Sequence, residues 1–127
     1  MKPYGLVEVP LTYDPPVSDA APLKFVREDR ADKPDHVRCW AQQEPARKLV
    51  NLQNIPILIV TAEASYHAPY DHCTVKYLAQ AGVKSTYLRL PDVGIHGNGH
   101  MMMLEKNSDA IAKEMADWLD RTLPGGQ

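Results

Sequence analysis

Hydrophobic and polar positions follow no steady period over the first third of the chain and a clear one from Ile55 onward. The run Ile55-Pro56-Ile57-Leu58-Ile59-Val60-Thr61 is continuously apolar and rich in β-branched residues, which predicts a strand buried on both faces of a parallel sheet. Asp71 to Ala81 then places Thr74, Tyr77, Leu78 and Ala81 at helical spacing, with an acidic residue in the first turn and Gly82 beyond the last. Thr86-Tyr87-Leu88-Arg89-Leu90 predicts a second strand, closed by Pro91. Ile111, Met115, Trp118, Leu119 and Thr122 form the apolar stripe of a last helix. It is opened by Asn107 or Ser108 and stopped by Pro124-Gly125-Gly126. The order strand, helix, strand, loop, helix predicts two adjacent parallel strands joined by a right-handed helical crossover.

Upstream the pattern is broken by Pro3, Pro10, Pro15, Pro16, Pro22 and Pro34, each of which lacks a donor N–H and fixes φ. Residues 1–36 therefore read as an extended or turning, Pro-rich arm or lid. Leu6, Val7, Val9, Leu11 and Tyr13 give it enough apolar character to pack across something. Val37, Trp40, Ala41, Ala46 and Val50 predict a helix over 37–51, kinked near Pro45. Residues 37–127 form the second part of the organisation.

Two strands with their helices make a poor independent domain, because a fully apolar parallel strand needs a neighbour on each edge to pair its backbone groups. The chain is expected to belong to a larger sheet whose first strands lie upstream, or to pair with another chain; homo-oligomerisation is the expected consequence of such exposed edges.

Composition narrows the field without naming a function. With 127 residues, 44% hydrophobic and 24% charged, the chain holds one core at most. Its 16 acidic and 14 basic residues are dispersed, and no basic run would track a phosphate backbone, so nucleic acid is not expected as a partner. No apolar run approaches the ~18 to 20 residues that span a bilayer, and no membrane partner is expected. Cys39 and Cys73 lack CxxC spacing; they neither demand nor exclude a disulfide, which leaves the compartment open.

The candidate chemistry sits in Gly94-Ile95-His96-Gly97-Asn98-Gly99-His100-Met101-Met102-Met103. Its glycines let the backbone approach other groups closely and present one side chain in a fixed direction. His100 is that side chain, suited to general acid/base work by a pKa ordinarily near ~6.5. Met101 to Met103 are expected to fill core behind the loop. His96-x-x-x-His100 has the spacing of a helical metal pair, but Gly97 and Gly99 argue against a helix. No metal is expected there, with His67 and His72 read as surface or structural residues.

The strand Ile55 to Thr61 with Ala62-Glu63, the following helix and strand, and the GNGHMMM loop together resemble the last third of an α/β-hydrolase-fold esterase. The likeness is to a bacterial and fungal branch of serine esterases that carries GN[GS]HMMM; Tyr4-Gly5-Leu6 and Pro10 to Pro16 resemble it too. It implies an α/β fold, the carboxyl-terminal part of a doubly wound, mainly parallel sheet, contributing the last two strands and flanking helices. It also implies a Ser, Asp or Glu, His triad in that chain order, with His100 as its histidine.

The departures are equally specific. The serines, Ser18, Ser65, Ser85 and Ser108, lack flanking glycines, so no G-x-S-x-G elbow is present. The family order puts the nucleophile upstream. The candidates for the acid are a glutamate upstream of this chain and, locally, Glu63 and Asp71. The usual acid position, two residues after Glu63, holds Ser65. Tyr66, His67 and Tyr70 are positioned to line an acyl pocket. The expected function is thus the histidine-bearing portion of a small-molecule ester or acyl hydrolase that needs no cofactor, its partner being the upstream half or a second subunit. The alternative is a non-catalytic module that completes its sheet by association.

Overall fold

A computed structural model describes residues 1–123 and 125. Pro124 and Gly126 of the expected helix stop lie outside them. The chain divides into two compact units, one built from residues 1–57 and 69–85, the other from 58–68 and 86 onward.

In the first unit, strands β1 (Phe25–Arg27) and β2 (Trp40–Gln42) pair antiparallel, with Val26 opposite Ala41. The expected helix over 37–51 does not form; only a 3₁₀ turn, Val50–Leu52, is helical. Pro45 offers no N–H, and the Gln42 side chain takes the local backbone groups instead, accepting from the Arg47 N–H at 2.9 Å and donating to the Arg47 carbonyl at 3.0 Å. Trp40, one of the apolar positions that predict that helix, is 42% exposed, with the Arg27 guanidinium 5.7 Å above its ring.

Helix α1 (Asp71–Gln80) buries His72, Tyr77 and Leu78. It ends as expected at Gly82, whose φ of +77° lets the backbone turn back while the Val83 N–H reaches the Leu78 carbonyl at 2.9 Å. Gln80 fastens α1 to β2 by bonding both the N–H and the carbonyl of Gln42 at 2.8 Å. Tyr77 hydrogen-bonds Tyr13 hydroxyl to hydroxyl at 2.9 Å, and burial raises the pKa of both. Gly5 closes over this pair at φ +82°; a Cβ there would lie 2.1 Å from the Tyr77 hydroxyl oxygen. A disulfide joins Cys39 to Cys73 with Cα atoms 5.2 Å apart, deciding the question the cysteine spacing left open.

In the second unit, strands β3 (Leu58–Thr61) and β4 (Thr86–Arg89) pair in parallel, Leu58 opposite Thr86 and Thr61 opposite Arg89. Ala62, Leu90, Met102 and Ile111 form the core, with Val60, Leu88, Ile95 and Met115 packed on it. Helix α2 (Ser108–Thr122) contributes Ile111 fully, while Leu119 stays 44% exposed. Of the three methionines expected as core filling, only Met102 is buried; Met101 and Met103 are exposed.

The expected fold is corrected by this topology. The described residues form two separate two-stranded sheets, one of them antiparallel, and not a doubly wound parallel α/β-hydrolase sheet. The physical reason is the number of strands: among the described residues β3 has a single hydrogen-bonded neighbour, β4, and Leu58 to Val60 are only half-buried. The remaining apolar chain went into the antiparallel β1–β2 pair and the core of the first unit.

Candidate functional site

The loop from Gly94 to Met103 is held from three directions within the second unit. Glu63, just past β3, accepts the Gly97 N–H at 2.8 Å and meets His96 Nδ1 at 3.1 Å. The Gly97 N–H first, and His96 second, hold the Glu63 carboxyl below its ordinary pKa. Glu105 accepts the Gly99 N–H at 2.7 Å. Asn98, 1% exposed, is the post between them. Its side-chain amide donates to Glu105 at 2.5 Å and to Asn107 at 2.7 Å, its side-chain oxygen accepts from Asn107 at 2.9 Å, and its carbonyl accepts the Ala64 N–H at 2.9 Å. Asn107 is consequently spent on Asn98 and makes no side-chain cap on α2.

This clamp carries His100 to the turn that follows β3. There Ser65 Oγ lies 3.1 Å from His100 Nδ1 and also accepts the His67 N–H at 3.1 Å. Ser65 is 6% exposed, and its hydroxyl is fixed by both contacts. The His67 ring stacks on His100 with centroids 4.3 Å apart and planes at 15°, and Tyr66 packs 4.5 Å from each.

The structure therefore groups His100, Tyr66 and His67, and adds Ser65. Glu63 is turned to His96 and Gly97 rather than to His100. Tyr70, at the N-terminus of α1, and Asp71, in its first turn, belong to the first unit. Ser65 lacks the flanking glycines of a nucleophile elbow and stands where the acid is usual; that position is the signal in the sequence for its place beside the imidazole.

Chemically, a serine oxygen that already accepts one backbone N–H can accept a second proton from Nδ1–H, which leaves Nε2 as the basic nitrogen. A serine supplies this orientation without the negative charge that a carboxylate would bring.

The chain is 44% identical over 121 residues to the probable secreted lipase phiG of Fungal sp. (strain ATCC 74256), a match covering 94% of this chain and 33% of that protein. It resembles a lipase. The chain spans about a third of the length of that relative. The likeness is to ester hydrolases in general and singles out no branch of them. No family model and no solved structure matches.

Proposed function

We propose that this chain supplies the proton-transfer histidine of an ester hydrolase, with His100 as general base and then general acid. The observation that carries the reading is the contact between His100 Nδ1 and Ser65 Oγ at the end of a clamped loop; the likeness to a secreted lipase supports it. In this reading the nucleophile is a serine hydroxyl from the upstream part of a longer protein. Nε2 takes its proton as it attacks the ester carbonyl, and returns that proton to the leaving alkoxide. Ser65 is a positioning residue that keeps the proton on Nδ1. Tyr66 and His67 wall the acyl side of the pocket.

The test is a chimera in which this chain replaces the matching third of the lipase relative, assayed on a short p-nitrophenyl ester. His100→Ala lowers kcat by roughly 10²- to 10⁴-fold, the usual contribution of general acid/base catalysis. Ser65→Ala lowers kcat about tenfold with KM unchanged, since it removes orientation and not chemistry. The 127-residue chain alone shows no turnover. Activity of the chain alone that is lost with Ser65→Ala would make Ser65 the nucleophile. An active chimera indifferent to His100→Ala would favour the non-catalytic module.

A further inference from the structure

We propose that Asp32, His36 and His72 form a binding site for a divalent transition metal ion of the zinc class, in the unit that does not carry His100. No spacing along the chain groups them, since Asp32 and His36 precede β2 and His72 stands in the first turn of α1.

Their ligand atoms all lie within 4.8 Å of one another. The His36 and His72 rings lie face to face, centroids 4.1 Å apart and planes at 25°. His72 is 7% exposed, and its Nδ1 is buried without a hydrogen-bond partner; His36 Nδ1 is in the same condition. Buried polar nitrogens are normally satisfied, so two orphaned imidazole nitrogens beside one carboxylate point to a ligand that accepts lone pairs. Two imidazoles and a carboxylate suit zinc, copper or nickel; calcium and magnesium prefer an all-oxygen set.

The surroundings favour closure on an ion. At bond lengths of about 2.0–2.2 Å, ligand atoms around a tetrahedral ion stand roughly 3.4 Å apart. The three groups must therefore draw in by up to about 1.4 Å, and one imidazole must tilt out of the stack so that both in-plane lone pairs meet at the ion. His72 is the fixed member, held by α1 and by the disulfide at its neighbour Cys73. Asp32 and His36 come from the bends between β1 and β2 and are the members that move. Lys76 bridges Asp32 Oδ2 at 2.5 Å and Glu28 at 2.6 Å, which aims the Asp32 carboxylate. With Cys39 and Cys73 oxidised, the sulfurs are not ligands in this site.

The experiment uses the oxidised chain without reductant and Zn²⁺ as the probe. Long-range ¹H–¹⁵N spectra report every histidine ring nitrogen, and calorimetry reports stoichiometry. One ion per chain, shifting the Nδ1 signals of His36 and His72 together, is the expected result. His36→Ala and Asp32→Asn each weaken binding by roughly tenfold or more, with circular dichroism confirming the fold. The paired shift in the unaltered chain stands as evidence even if a His72 variant does not fold. Zn²⁺ that shifts His67, His96 or His100 instead, or binding undiminished in His36→Ala, or no binding at millimolar Zn²⁺, would overturn the site.

Discussion

The Cys39–Cys73 disulfide is the strongest single restraint in the first unit, and its removal gives a calculable loss. It closes a loop of 34 residues in sequence. In the chain-entropy account such a closure removes roughly 12–13 cal/mol/K from the unfolded ensemble, or about 4 kcal/mol at 25 °C. For a chain of this length the unfolding entropy near the midpoint is about 0.27 kcal/mol/K, so the melting temperature falls by about 15 °C. Guanidinium titration at a slope near ~4 kcal/mol/M moves its midpoint down by about 1 M. The assay compares oxidised chain, chain with a phosphine reductant, and the double variant Cys39→Ala/Cys73→Ala, all in metal-free buffer. The double variant falls slightly further than the reduced chain, because Cys39 is 2% exposed and loses its buried sulfur. A cost of reduction below about 1 kcal/mol would refute an entropic origin of the stabilisation. A loss confined to the double variant would assign the stabilisation to sulfur packing and not to the crosslink.

Two further outcomes follow from the loop that presents His100. Asn98→Ala removes three side-chain hydrogen bonds at a buried position and strands partners on Asn107 and Glu105, so it should cost about 2–4 kcal/mol in denaturant unfolding; a loss under ~1 kcal/mol would deny Asn98 its role as the post. Glu63 is a depressed carboxyl, so the unfolded chain binds its proton first. The stability that its contact with Gly97 contributes is complete above about pH 5 and is lost as pH falls from the ordinary glutamate value near ~4.3 through the lower folded one, where the contact itself breaks. The Gly97 amide shift, followed in acid, should titrate below ~4.3 and lose that step in Glu63→Gln; a midpoint at or above the ordinary value would refute the assignment.

The elements that the hydrophobic pattern predicted over 55–61, 71–81, 86–90 and from Asn107 or Ser108 to Thr122 correspond to β3, α1, β4 and α2 within a few residues. Their signals are local: side-chain period, Asp71 in a first turn, Gly82 at a stop, Pro91 at a strand end. The GNGHMMM loop was legible for a similar reason, since its glycines, its histidine and Asn98 lie within a few residues. What failed was non-local. The predicted helix over 37–51 lost to pairing with a strand that begins at Phe25, a choice made by contacts that no window around Trp40 contains. The expected doubly wound sheet failed because strand neighbours, not strand propensity, decide a sheet. By itself the sequence determined which segments are strands and helices in its second half and placed His96, Asn98 and His100 in one short glycine-bearing loop. Only the tertiary structure decided that Ser65 meets that histidine, that Glu63 turns to His96, that Cys39 reaches Cys73, and that His36 lies against His72. Each joins residues 33 to 36 positions apart, a separation over which periodicity carries no information and packing decides.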